Sequence, residues 1–318
     1  MQIQIKGFFS DRSVLFQLVI LLYFVLIGIL LCSAFGYAII HIFKALSGIE
    51  LTSQYDMPFY LTHITQFLFG ILTFILPAIC TAYFCSKKPS EFLNIKRSID
   101  VRVLLLSTVM ILLLSPAIDI ASYLNSKIYL PEFMAPVSDW MQKSEIHASK
   151  VTEKILSEKG FLPLVTNIFI IGVMAGLTEE FIFRGALMSI IRKKIHNPHT
   201  AIWIVAIIFS IIHFQFSGFI PRTLLGAFLG YLLLWTNNLW IPVFVHFINN
   251  TIAVTGYYIG LYEISPESSA LIKTDTSEND LYILTIIAIA GLALFVLCAG
   301  KMKKICSPVE KNLDNKQA

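Results

Sequence analysis

The sequence predicts an all-α protein, a polytopic membrane bundle of about eight transmembrane helices. Of its 318 residues, 56% are hydrophobic and only 14% are charged. The apolar residues form long blocks, and a transmembrane helix needs about 20 mostly apolar residues. The blocks lie at residues 14–43, 57–85, 103–124, 161–191, 200–216, 220–235, 238–258 and 281–300. Two of them, 200–216 and 220–235, are short, and we expect helices there that are tilted or do not fully cross.

The basic residues indicate an orientation, because positive charges in short loops tend to stay in the cytoplasm. They form four clusters: Lys6 and Arg12; Lys87, Lys88, Lys96, Arg97 and Arg102; Arg192, Lys193 and Lys194; and Lys301, Lys303 and Lys304. Eight crossings place all four clusters on one side. The prediction is therefore N-in and C-in, in the cell (inner) membrane. Short clusters and a net charge of +4 do not favour a nucleic-acid partner.

Besides residues 46–56, two polar segments fall on the opposite side of the predicted bundle. Segment 125–160 follows the third helix and has apolar residues at helical spacing after Ser138 and Asp139, namely Trp140, Met141, Ala148, Val151 and Ile155. This pattern predicts an amphipathic helix on the outer membrane surface. The second segment precedes the last helix and is an acidic loop that contains Lys273 together with Glu263, Glu267, Asp275, Glu278 and Asp280.

Polar and ionisable residues inside apolar blocks are the candidates for chemistry, because each charge there costs about 2.5–3.5 kcal/mol on insertion scales. They are Glu179, Glu180, Arg184, His213, Gln215, Arg222, His246, Asn249 and Asn250. His41 and His63 stand alone near predicted helix ends, where packing or interfacial roles are expected.

Helical spacing separates the two adjacent glutamates. Glu180 and Arg184 are four residues apart, so they can form an ion pair on one helix face. Glu179 lies about 100° around the helix, and Phe183 occupies its own i+4 position. Glu179 must therefore find its partner on another helix, in trapped water or at a metal, as suits a general base. The alternative is that all three residues form a structural network between helices.

Two imidazoles and an amide can complete the site. His246 and Asn250 share a helix face, and His213 comes from another helix. In one chemistry, Glu179 activates water, a histidine assists the leaving group, and His246 with Asn250 donates to an oxyanion. In the other, Glu179, His213 and His246 bind a divalent metal such as zinc. Neither an HExxH helix nor a GxSxG elbow occurs in the sequence.

Three short motifs carry a family resemblance. "EEFIFR" (179–184) fits EExxxR, "FSIIH" (209–213) fits FxxxH, and "HFINN" (246–250) fits HxxxN, in that order. The chain resembles the CPBP family of intramembrane proteases, which includes type II CAAX prenyl endopeptidases and Abi-like bacteriocin-processing or self-immunity proteins. The resemblance covers about residues 160–257.

The resemblance implies a role for each matching residue. Glu179 corresponds to the water-activating glutamate, and Glu180 with Arg184 to its supporting pair. His213 corresponds to a second catalytic side chain, and His246 with Asn250 to the oxyanion or metal-binding group. The family is often called a metalloprotease, but a metal-free glutamate mechanism has also been proposed for it.

The expected function is an intramembrane endopeptidase with glutamate-activated water, acting with or without a metal. Its partners would be the lipid bilayer and a peptide or protein substrate at the membrane, prenylated only in a host that prenylates. The alternatives are a non-catalytic bacteriocin-immunity or partner-binding protein, and a transporter. The chain divides into N-terminal helices with the surface segment (1–159), a protease-like core (160–257), and an acidic loop, last helix and tail (258–318).

Overall fold

A computed structural model describes residues 5–51, 56–95, 98–128, 130–264, 271–273 and 278–306. Several residues of the predicted charge clusters lie outside the described part, namely Lys96, Arg97, Glu267 and Asp275. The side chains of Glu263, Lys273 and Glu278 and the polar tail 307–318 also lie outside it. The predictions for these residues are therefore untested.

Ten α-helices, two short 3-10 turns (Glu132–Met134 and Phe216–Gly218) and one short hairpin make up the regular structure of the described residues. The first five helices are α1 (Val14–Ser47), α2 (Phe59–Cys85), α3 (Pro89–Phe92), α4 (Val101–Ser126) and α5 (Ala135–Leu156). The last five are α6 (Phe161–Arg192), α7 (Pro198–Ile211), α8 (Phe219–Thr236), α9 (Trp240–Tyr258) and α10 (Glu278–Cys306). Between α9 and α10, strands β1 (Tyr262–Ile264) and β2 (Leu271–Lys273) pair antiparallel.

The predicted class, an all-α polytopic membrane bundle, is confirmed, and each of the eight apolar blocks coincides with a helix. In the described part of the chain, six helices are long and apolar enough to cross a membrane: α1, α2, α4, α6, α8 with its preceding turn, and α10. Helix α7 has 14 residues, or about 21 Å, which is short of the hydrocarbon core of about 30 Å. The count of eight crossings and the N-in, C-in orientation stay predictions.

Local sequence explains where the helices near the site begin and end. Asn197 caps α7 by accepting a hydrogen bond from the His199 N–H at 2.9 Å, and Pro198 occupies the first helical position. Helix α8 ends at Asn237, which adopts a left-handed conformation with φ of 47°. Helix α5 begins at Ala135, three residues before the predicted start, because Pro136 suits the first turn of a helix.

The helices pack around two apolar cores. One core joins α6 and α7 to α1 and α2 through residues such as Phe181, Ile190, Val205 and Phe209. The other joins α4, α8, α9 and α10 through residues such as Met110, Leu229, Ile241, Val245 and Met302. The polar residues of the three motifs lie where α6, α9 and the end of α7 meet.

A glycine allows the close contact between α6 and α9. A Cβ atom on Gly176 would lie 3.0 Å from the Phe247 nitrogen and 3.1 Å from the Val243 oxygen. Because those are backbone atoms, any larger residue would push the two helices apart. Gly176 therefore sets the distance across which Glu179 and Glu180 face His246.

Candidate active site

The predicted ion pair between Glu180 and Arg184 is present and fully buried. Arg184 Nη1 donates to Glu180 Oε1 at 2.7 Å, and both side chains are 0% exposed. Arg184 Nη2 also donates to the Gly226 carbonyl of α8 at 2.8 Å, and its guanidinium lies 4.8 Å from the Phe209 ring centre. The pair thus fixes α6 against α7 and α8.

Glu180 also orients the imidazole of His246. His246 Nδ1 lies 2.9 Å from Glu180 Oε1. A carboxylate paired with an arginine accepts hydrogen bonds, so the His246 proton lies on Nδ1. The other ring nitrogen, Nε2, then carries a lone pair and faces Glu179.

Glu179 lies at the centre of the cluster and differs from Glu180 in exposure. Its side chain is 18% exposed, and its Oε2 lies 3.8 Å from His246 Nε2 and 4.0 Å from His213 Nε2. These separations are too long for direct hydrogen bonds but leave space for one bridging atom. Glu179, His213 and His246 are therefore brought together, with Glu180 and Arg184 behind them.

His213 does not lie inside a helix, as its position in block 200–216 had suggested. Helix α7 ends at Ile211, and His213 follows in a turn where Phe214 has φ of +52°. A bulky residue rarely adopts this conformation, so the turn must be held by its surroundings. His213 Nδ1 lies 2.6 Å from the Phe209 carbonyl, which can only accept, so His213 Nε2 is also the unprotonated nitrogen.

The turn that carries His213 is anchored by two elements distant in sequence. Glu145 of α5 is 4% exposed and accepts from the Ser217 backbone N–H at 2.7 Å and its hydroxyl at 3.0 Å. Asn125, at the end of α4, donates to the Phe216 carbonyl at 2.7 Å and accepts from the Ile220 N–H at 2.8 Å. The segment between α7 and α8 is thus held on both sides.

Sequence reasoning missed Glu145 and Asn125 as residues of this region. Glu145 lies four residues after Met141 and three before Ala148, within the apolar stripe predicted for α5. A carboxylate at an inward-facing position was the available signal. Trp140 of the same stripe packs against Phe214 and Phe216, with ring centres 6.0 and 5.3 Å apart.

Arg222 and Gln215 form a second polar pair beside the cluster. Arg222 Nη1 donates to the Gln215 carbonyl at 3.1 Å, and Nη2 donates to the Gln215 side chain. Gly218 packs against this guanidinium. Arg222 is an electrostatic neighbour of both Glu179 and Glu145, so it places positive charge near the carboxylate that the motifs single out.

Asn250 points its amide at the backbone of α6. Its Nδ2 donates to the Ile171 carbonyl at 2.8 Å, and its Oδ1 accepts from Asn249 Nδ2 at 3.2 Å. Ile171 belongs to a π-helical segment, Ile168–Met174, and a second such segment, Phe181–Leu187, directly follows Glu180. Such segments frequently mark functional sites in helices.

The two histidines for which packing or interfacial roles are predicted differ: His41 has a ring contact, whereas His63 belongs to a buried polar network. His41 is exposed and its ring centre lies 4.1 Å from that of Tyr37. His63 is buried, with Nδ1 2.7 Å from the Phe59 carbonyl and Nε2 2.6 Å from Asn167 Oδ1.

The donor atoms of Glu179, His213 and His246, one carboxylate and two imidazoles, are of the chemical types that bind zinc. Both imidazoles present an unprotonated Nε2 and hold their Nδ1 protons on oxygen acceptors, as zinc-ligating histidines do. Donor atoms around a tetrahedral zinc lie about 3.4 Å apart, less than the 3.8 and 4.0 Å separations here. Accordingly, in the described part of the chain no group of three or more His, Cys, Asp or Glu side chains is close enough to hold a metal.

Comparison with protein families gives a match to the part of the chain that carries the three motifs. Residues 161–252 match the family of the type II CAAX prenyl endopeptidase, Rce1-like. The resemblance predicted from the three motifs is thereby confirmed over this segment. Together with the six apolar helices, the match supports an integral, multi-pass membrane protein.

Two bacterial relatives are each similar to part of the chain. Uncharacterized protein YpbD of Bacillus subtilis is 27% identical over 116 residues, which cover 35% of this chain and 54% of the relative. Membrane-embedded CAAX protease MroQ of Staphylococcus aureus is 26% identical over 137 residues, covering 41% and 51%. The chain thus spans about half the length of these relatives. No solved structure matches the chain.

Proposed function

We propose that this protein is an intramembrane endopeptidase in which Glu179 acts as general base toward the attacking water. The observation that carries the proposal is the convergence of three acceptor atoms: His246 Nε2 and His213 Nε2 lie 3.8 and 4.0 Å from Glu179 Oε2. Three acceptors are stable together only if they share a proton donor or a cation. A water molecule or a metal ion meets that requirement, and both serve hydrolysis.

The side chains of the site can carry out every proton transfer that peptide hydrolysis requires. Glu179 takes one proton from water while the resulting hydroxide attacks the carbonyl carbon of the peptide bond. When the C–N bond breaks, the protonated carboxyl returns that proton to the leaving amine. Glu180 and Arg184 stay paired and hold His246 in one orientation throughout, so they position the site without touching the reacting atoms.

The tautomers of the two histidines favour acceptor roles over donor roles. His246 can donate to an oxyanion from Nε2 only when the ring carries two protons, because its single proton lies toward Glu180. His213 is restricted in the same way by the Phe209 carbonyl. The arrangement supports histidines that orient water or bind a metal more than it supports the oxyanion role expected for His246 with Asn250.

A divalent metal such as zinc would be held by Glu179, His213 and His246. When bound, it would polarise the attacking water and the substrate carbonyl. The protein side chains would have to close by about half an ångström to reach the spacing of a tetrahedral ion. Their Nδ1 hydrogen bonds would keep both rings correctly turned during that movement.

The proposed substrate is a peptide or protein that reaches the site from the membrane. The matching family and MroQ are both named for CAAX proteolysis. A prenylated C-terminal peptide is therefore one substrate to assay with the purified protein. The same peptide without the prenyl group is the second substrate, and the comparison shows whether the prenyl group is required. Glu179 keeps 18% of its side chain exposed although its helix is apolar, which is consistent with an entry route to this carboxylate.

The test compares cells that express wild-type protein, Glu179→Gln or Glu91→Gln. New N-termini of membrane proteins are identified by mass spectrometry, and the cleaved sequences are then made as quenched peptides for assay with purified protein. Glu91 is an exposed glutamate paired with Lys88, so Glu91→Gln is the matched control. We expect cleavage by the wild type and the control only; equal turnover by a folded Glu179→Gln protein would refute the proposal.

Metal dependence is measured separately on the same purified proteins. A metal mechanism predicts about one zinc per chain, lost in His213→Ala, and activity that a chelator removes and zinc restores. A metal-free mechanism predicts chelator-resistant activity that still requires Glu179.

A further inference from the structure

A second cavity lies away from the catalytic cluster, on the opposite face of α8. It is lined by residues of α4, α7, α8 and α10, and its volume of about 670 Å³ lies within the range of about 300–1,000 Å³ typical of ligand pockets. Leu224, Phe228 and Tyr231 of α8 line it at helical spacing, whereas Gly226 faces Arg184 on the other side. The proposed function does not use this cavity.

The length of the cavity corresponds to one leaflet of a bilayer. Along α10 its lining runs from Lys303 to Leu292, and along α8 from Trp235 to Leu224. Each pair spans eleven residues, or about 16 Å at the rise of an α-helix. Half of the hydrocarbon core measures about 15 Å, so the cavity extends from one membrane interface to the midplane.

The two ends of the cavity differ in chemistry. The shallow end holds Lys303, whose Nζ lies 5.6 Å from the Trp235 ring centre, and Tyr231, whose hydroxyl lies 2.9 Å from His199 Nδ1. Lysine, tryptophan and tyrosine are the residues found at headgroup level. The deep end is purely aliphatic, with Leu114, Ile118 and Leu292.

These features determine the kind of occupant. A peptide would leave its backbone amides unsatisfied against aliphatic walls, which is costly in the hydrocarbon region. A single hydrocarbon chain has no such groups. At the shallow end, Lys303 and the neighbouring exposed Lys301 and Lys304 of the same helix end attract negative charge.

We propose that this cavity binds one acyl chain of an anionic phospholipid, drawn from the leaflet in which α10 ends. The chain lies between α4, α8 and α10, and the headgroup phosphate meets Lys303. The bound lipid thereby fills the interior between α10 and the rest of the bundle. This inference is independent of the proposed protease activity.

The test uses lipids that quench tryptophan through bromine atoms on their acyl chains. The protein is reconstituted in vesicles of phosphatidylcholine with increasing fractions of brominated phosphatidylglycerol, with Trp140 and Trp240 replaced by Phe so that only Trp203 and Trp235 report. Both remaining tryptophans line the cavity. We expect quenching to saturate at a low fraction of phosphatidylglycerol, and brominated phosphatidylcholine to quench only in proportion to its abundance.

Matched variants on α10 separate cavity binding from contact with bulk lipid. Ala299 lines the cavity and Ala290 is exposed outside it, so Ala299→Phe should abolish the saturable quenching and Ala290→Phe should retain it. Lys303→Gln should weaken the apparent affinity about fivefold, and Lys301→Gln, which lies outside the cavity lining, should weaken it less.

Two results would overturn the proposal. One is quenching that follows bulk lipid composition equally in all variants. The other is displacement of the brominated lipid by an uncharged prenyl alcohol as effectively as by unlabelled phosphatidylglycerol, which would assign the cavity to an isoprenoid chain. Neither result depends on whether the protein cleaves peptides.

Discussion

Two polar clusters join α6 to α9, and they differ in how closely their polar atoms approach one another. Near the start of α6, Asn167 contacts His63 at 2.6 Å and donates to the Tyr258 hydroxyl at 2.8 Å, and Tyr258 donates to the Glu158 carbonyl at 2.7 Å. Around Glu179, the separations to the two imidazoles are 3.8 and 4.0 Å. Among the described residues, Glu180 Oε2 and Arg184 Nε are also buried without a hydrogen-bond partner.

The difference separates a structural network from a reactive one. Buried polar groups that serve only stability are normally paired, because each unpaired group costs about 1–3 kcal/mol. In the Asn167 cluster every contact is of hydrogen-bond length, and these contacts tie α2, α6 and α9 together. The Glu179 cluster departs from the rule with converging acceptors, as expected of a site that receives water and substrate.

The largest expected effect is on activity at Glu179. Glu179→Gln should lower kcat by about 10²–10⁴-fold, since it removes the general base. Its stability in detergent should not fall, because the new amide can donate to a histidine Nε2. Activity is measured on the quenched peptide and stability by thermal unfolding. A loss of stability that matches the loss of activity would erase the distinction between the clusters.

Breaking the buried ion pair should give the largest loss of stability. Arg184→Met leaves the Glu180 carboxylate buried without its cation, and removing one partner of such a pair costs about 3–5 kcal/mol. Unfolding in detergent measures the change. The double variant Glu180→Gln with Arg184→Met should recover part of the loss; no recovery would mean that Arg184 stabilises the fold only through its contacts with Gly226 and Phe209.

Asn167→Leu tests the paired cluster. It removes the contacts to His63 and Tyr258, and we expect a loss of about 1–3 kcal/mol in stability while kcat stays within about twofold. Thr166→Leu is the matched control, since the Thr166 hydroxyl bonds only the Leu162 carbonyl one turn away. A large fall in kcat in the Asn167 variant would make that cluster part of the active site.

The smallest expected effect concerns the anchor of the His213 turn. Glu145→Gln weakens the charge-assisted bonds to Ser217, and we expect kcat to fall about fivefold and the Ser217 amide to exchange hydrogen faster. Glu153→Gln, on the exposed face of the same helix, should change neither. Faster exchange without any change in kcat would show that the position of His213 does not limit the reaction.

Features that depend on neighbours in sequence were predictable. The apolar blocks located the helices, and the four-residue spacing located the Glu180–Arg184 pair, because both follow from the geometry of one helix. The three motifs led to the family that residues 161–252 match. The catalytic roles of Glu179, His213, His246 and Asn250, the metal and the three-part division of the chain stay predictions.

Features that depend on distant parts of the chain were not predictable. Helix α7 ends two residues before His213, and the turn after it is held by Glu145 and Asn125, which precede it by 72 and 91 residues. The local sequence does not indicate which residues so far apart in the chain will lie next to each other in the fold. The amphipathic pattern predicted helix α5, but it did not predict that the Glu145 carboxylate of this helix would be buried.

By itself, the sequence determined that this is an all-α membrane bundle and that Glu179, unlike Glu180, lacks a partner on its own helix. These conclusions follow from the composition of apolar blocks and the period of the helix. Only the tertiary structure decided what Glu179 faces, because the proton positions of His213 and His246 depend on the Phe209 carbonyl and the Glu180 carboxylate. One hydrogen bond between α6 and α9 and one at the end of α7 thus turn two histidines into acceptors that converge on one carboxylate.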